Sequence, residues 1–122
     1  MKSYTDLEQS KKLAEILPLE SADMEYLAIK EIGKLVGDVP FVKDDSEVED
    51  SAYSHIYDRI ACWSLAALLS VLPHIQEFYP IISKINDKYV CRYKDSGIWI
   101  NGDNPIDACY EMILKLHELK ML

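Results

Sequence analysis

A few side chains in this sequence have the types and spacing of a nucleophile, an acid–base pair or a metal ligand. Cys62 stands just ahead of the apolar segment that begins at Trp63. A thiol at a helix start has its pKa lowered by the helix dipole, and with a histidine in reach it becomes a nucleophile. His55, His74 and His117 are the three available bases. His55 with Asp58 and His74 with Glu77 stand at i, i+3, the spacing of a two-ligand metal site on a helix, and Asp103 and Asp107 bracket a helix start.

Each of these has a simpler structural account. Cys62 beside Trp63 reads as a small buried hydrophobe, as do Cys91 and Cys109, none of the three belonging to a CxxC pair. Asp103 and Asp107 are explained by helix capping, and His117 by the negative end of a terminal helix. HExxH, an EF-hand loop, a Walker loop and GxGxxG do not occur. The sequence therefore assigns no catalytic residue, no metal ligand and no cofactor, and reads as a non-enzyme.

The elements that would position these groups are legible in part. Asn104, Pro105 and Asp107 form a helix start: Asn104 as N-cap, Pro105 at the first helical position, Asp107 closing a reciprocal cap. Cys109, Met112, Ile113, Leu116 and Leu119 then make one apolar stripe. Thr5 and Glu8 have capping-box spacing and predict a first helix with Leu7, Leu13, Ala14, Ile16 and Leu17 on its apolar face, ended by Pro18. Cys62–Leu72 has scarcely any polar side and predicts a buried central helix, capped by Ser64 and stopped by Pro73.

Residues 21–37 fit either a helix capped by Ser21 or a strand over about Met24–Lys30, and the strand is preferred, with Gly33 and Gly37 as breaks. Val48, Ala52, Ile56 and Ile60 at i, i+4 spacing suggest an exposed amphipathic helix. Lys88–Tyr93 and Ile98–Asn101 flank Lys94-Asp95-Ser96-Gly97, a hairpin with its loop. The fold expected is α+β: one small domain over residues 1–122, three main helices packed on a short antiparallel sheet or hairpin, and a mobile acidic segment over 38–60.

Composition excludes several partners. At 122 residues and 49% hydrophobic the chain is long enough for a real core, and it has no apolar run of membrane-spanning length. Its first residues lack the apolar stretch of a signal peptide, so a cytoplasmic location is expected. The net charge of −8 argues against direct DNA or RNA binding. Asp44, Asp45, Glu47, Glu49 and Asp50 concentrate that charge in one run, suited to a basic protein partner or, more plainly, to solvent. Tyr89, Tyr93 and Trp99 on the hairpin offer an aromatic contact patch.

Three blocks carry a resemblance: Tyr4-Thr5-Asp6-Leu7-Glu8-Gln9 through Met24; Cys62-Trp63-Ser64-Leu65-Ala66-Ala67-Leu68-Leu69; and Asn104-Pro105-Ile106-Asp107-Ala108-Cys109 with its helix. Together, over roughly half the chain, they resemble a group of short uncharacterised proteins of gut Bacteroidetes, often met in prophage-like or mobile regions. The resemblance implies a bacterial or phage accessory protein and transfers no functional residue. The function expected is a non-catalytic protein-interaction or accessory module that binds a protein partner or itself, through the acidic run or through Tyr89, Tyr93 and Trp99. Two alternatives stand beside it: an acidic inhibitor or DNA mimic that occupies a basic protein, and a small Cys/His hydrolase built on Cys62.

Overall fold

The computed structural model describes residues 1–43 and 56–122. The described residues contain three α-helices and two three-stranded antiparallel sheets, in two compact units: Asp6–Trp63, and Met1–Thr5 with Ser64–Leu122. The expected arrangement of three helices on one hairpin is therefore wrong. Each unit has a sheet of its own, with α1 against the first and α3 against the second.

In the unit Asp6–Trp63, α1 spans Leu7–Ala14 and packs on strand β3. Its cap lies one residue later than Thr5 and Glu8 predict. The Asp6 carboxylate accepts from the Gln9 amide at 2.8 Å, and the Gln9 side chain accepts from the Asp6 amide at 3.1 Å. Thr5 is instead fully buried, next to Tyr4, whose backbone bridges to Ser64 in extended form. Two overlapping boxes compete here, and the one with an ionised N-cap acceptor forms.

A single 3-10 turn, Leu19–Ser21, leads into β1, Met24–Ile29. The strand reading of this segment holds. β1 is the middle strand of the order β2-β1-β3, with β2 at Phe41–Val42 and β3 at Tyr57–Cys62. Tyr26, Leu27 and Ala28 are buried in succession, so both faces of β1 are covered. That is why the strand lacks a clean polar alternation. The helical spacing that runs to Ile60 does not survive either: Tyr57–Cys62 pairs with β1 along its whole length, from Ile29↔Tyr57 to Met24↔Cys62. Pairing to a buried strand outweighs a weak helical pattern. Val48 and Ala52 of that predicted helix, and the acidic run, lie outside the described residues.

The second unit begins with α2, Leu65–Val71, where the Ser64 hydroxyl accepts from the Ala67 amide at 3.2 Å as expected. This helix is shorter than predicted, because Cys62 belongs to β3, and it is one-sided: Ala67 and Leu68 are buried while Leu69 is exposed. Next come β4 (Pro80–Ile85), β5 (Lys88–Tyr93) and β6 (Trp99–Gly102), paired in that order. Asn86, at φ +56°, turns the chain between β4 and β5.

The last helix, α3, spans Pro105–Glu118. Asn104 Oδ1 accepts from the Asp107 amide at 2.9 Å, and the Asn104 side-chain amide donates back to the Asp107 carboxylate at 2.9 Å. Lys2 adds an ion pair to the same carboxylate at 2.9 Å. Ile106, Cys109, Met112, Ile113 and Leu116 are fully buried, each of the large ones contributing about 1.5–3 kcal/mol of apolar burial. The predicted stripe stops there, since Leu119 is the C-cap and lies exposed.

Candidate functional site

The β4–β5–β6 sheet has two unlike faces, and the pairing register sorts its side chains between them. Gly102 is opposite Tyr89, and Ile100 is opposite Cys91. A Cβ on Gly102 would fall 2.6 Å from the Ala108 nitrogen, so this face is the one laid on α3. Side chains alternate along a strand, which puts Tyr89, Cys91 and Tyr93 toward α3 and Val90 and Arg92 on the opposite face.

That opposite face is apolar and open. Trp99 is the partner of Arg92 on one side, and Ile81 is its partner on the other. Trp99 is 59% exposed, Ile81 37% and Ile85 53%, while Val90 at their centre is only 5% exposed. Isolated exposed hydrophobes are ordinary, but three around one floor residue on one face make a patch. A cavity of about 330 Å³ lies along it, with Ile85 and Val90 as its apolar wall, Arg92 and Lys94 as its cations, and Trp99 at its rim. Ser83, opposite Val90, holds a buried hydroxyl that lacks a hydrogen-bond partner among the described residues.

The aromatic residues singled out in the sequence are thus divided between the two faces. Trp99 stands on the open face. Tyr93 is 2% exposed and donates from its hydroxyl to the Pro73 carbonyl at 2.6 Å, so it is a core residue and forms no contact patch. Burial pushes its phenol pKa up. Tyr89 is half-buried on the α3 side, with the Lys84 ammonium 5.8 Å from its ring centre. Alternation at Tyr89, Cys91 and Tyr93 shows that these residues share a face, but nothing local in the sequence says that α3 covers it. Arg92, Ile81 and Ile85 are the surface residues that sequence reasoning missed. The three isoleucines Ile81, Ile82 and Ile85, followed by Asn86-Asp87, were the available strand-and-turn signal.

The chemistry-bearing residues are placed elsewhere. Cys62 is fully buried at the end of β3, so its thiol is not presented to a substrate, and the Cys/His hydrolase reading loses its nucleophile. Cys91 and Cys109 are also fully buried free thiols, hydrogen-bonded to each other. The hydrogen bond to Cys91, with burial second, pushes the Cys109 pKa up. His74 stacks edge-on against Tyr79, with ring centres 4.2 Å apart, and His117 lies exposed in the last turn of α3. Asp103 pairs with Lys88, whose pKa is raised first by that hydrogen bond. His55, Asp44, Asp45, Glu47, Glu49 and Asp50 lie outside the described residues. Among the described residues no three His, Cys, Asp or Glu side chains gather to hold a metal, and no helix is long and apolar enough to cross a membrane.

Comparison of the chain with protein-family models, with curated proteins and with solved structures finds no match.

Proposed function

We propose that this chain is a protein-interaction module of a bacterial or phage-like element, and that it binds its partner through the open face of β4–β5–β6. The observation that carries this reading is Trp99, more than half exposed beside Arg92, with the exposed Ile81 on the other side of that arginine. Trp and Arg are the residue types enriched where binding energy concentrates, and each gains most when an apolar surround excludes water. Among the described residues Arg92 and Lys94 line the cavity with Asp95 as the one carboxylate, so the matching surface is apolar with an acidic component.

The test is affinity capture from a bacterial lysate with the native chain, with Trp99→Ala, and with Leu69→Ser as the control. Leu69 is an exposed leucine on α2 and so has the same apolar character outside the sheet. The reading expects one partner retained by the native chain and the Leu69 variant and lost by the Trp99 variant. Retention of that partner by the Trp99 variant contradicts it. A second copy of the chain recovered in place of a foreign protein would assign the face to self-association.

A further inference from the structure

The unit Asp6–Trp63 contains a second cavity, of about 460 Å³, within the size range of about 300–1,000 Å³ that small-molecule sites occupy. Its lining combines an apolar floor with a local excess of positive charge. Ala14, Leu19 and Ala61 supply apolar surface, Ala61 lying opposite Glu25 in the register, and Lys11, Lys43 and Arg59 bring three cations, with Glu25 the one carboxylate among the described lining residues. This is the reverse of the chain as a whole, whose formal charge is −8.

Glu25 is only 4% exposed, and its Oε1 lies 3.7 Å from Arg59 Nη1. A carboxylate taken out of water needs a cation, and the register supplies one: Arg59 is opposite Leu27, one step along the same face of the sheet from Glu25. The pair neutralises itself and orients the guanidinium, leaving Lys11 and Lys43 as the surplus. Lys43 is held over the cleft by a bond from its ammonium to the Leu19 carbonyl at 3.3 Å. Lys11, on α1, is exposed and lines the same cavity.

We propose that this cleft binds a small organic anion with an apolar tail, a carboxylate whose head group is met by Lys11 and Lys43 while its tail lies along Ala14, Leu19 and Ala61. A cation with the same tail would meet the two ammonium groups and be repelled. The site is separate from the open sheet face, so it stands or falls independently of the partner-binding reading.

Octanoate is the probe, and octylammonium the opposite-charge control, each titrated into the full chain and followed by two-dimensional NMR. The expected result is a saturable shift of the Ala14, Leu19 and Ala61 resonances with octanoate, a much weaker response to octylammonium, and about tenfold weaker octanoate binding in the double variant Lys11→Gln/Lys43→Gln. Neither lysine is part of the Glu25–Arg59 ion pair, and an unchanged amide spectrum of the variant confirms that its fold is intact. No saturable shift with octanoate, equal response to octylammonium, or unchanged affinity in the folded double variant each overturns the proposal.

Discussion

Gly102 and Ala108 lie so close that a Cβ placed on Gly102 would sit 2.6 Å from the Ala108 nitrogen and 2.9 Å from its Cα. This approach seats α3 on β6 and decides which face of the β4–β5–β6 sheet is buried. The obstructing atoms are helix backbone, which cannot swing aside. Gly102→Ala is therefore expected to cost about 1–3 kcal/mol, the usual range for overpacking. Urea unfolding of the two chains measures it, and an unchanged midpoint would show that α3 is not held this closely.

The cap of α1 gives a second test, because two boxes overlap in the sequence. Asp6 and Gln9 bond reciprocally, whereas Glu8 is merely a first-turn acid. Asp6→Ala should destabilise the chain by about 1 kcal/mol and Glu8→Ala by a few tenths. Equal losses in the two variants would argue for the cap at Thr5.

Tyr93 gives the stability an alkaline limit. Its phenol pKa is raised in the folded chain by burial, while the unfolded value is about 10. Above that pH the unfolded chain releases the proton and the folded chain retains it, so stability is complete below about pH 10 and falls as pH rises beyond it. The slope contributed by this one group is about 1.4 kcal/mol per pH unit until the folded pKa is reached. Tyr93→Phe should flatten this decline. At neutral pH it should cost about 1 kcal/mol for the lost bond to Pro73. Stability measured from pH 7 to 11.5 in both chains separates the two effects. A decline of equal slope in the variant would assign the alkaline limit to other groups.

Ser83 supplies a prediction of opposite sign. Its buried hydroxyl has no partner among the described residues, and an unmet buried polar group costs about 1–3 kcal/mol. Ser83→Ala should leave stability unchanged or raise it, read as an equal or higher melting temperature. A clear loss of stability would show that the hydroxyl is satisfied in solution.

Helix starts in this chain were more legible than its strands, for physical reasons that individual residues show. Asn104-Pro105 and Ser64 act within one turn of their own position, so local chemistry determines them. β3 and β4 depend on partners far along the chain. Ile60 fits a helical stripe until β1 is there to pair with Tyr57–Cys62, and Pro80–Ile85 carries no decisive pattern of its own. Faces are less legible still. Tyr93 and Trp99 are both hairpin aromatics, yet one lies under α3 and the other in solvent, and only the packing of Gly102 on Ala108 distinguishes them. Pocket-forming charges such as Lys11, Lys43 and Arg59 come from three separate elements, and no short motif connects them.

Whether Trp99 anchors a protein partner on the open sheet face is decided by the capture experiment with native, Trp99→Ala and Leu69→Ser chains. A single partner held by the native and Leu69 chains and released by the Trp99 variant, with all three equally folded, is the predicted result. The same partner held equally by the Trp99 variant would contradict the claim and move the interface elsewhere on the chain.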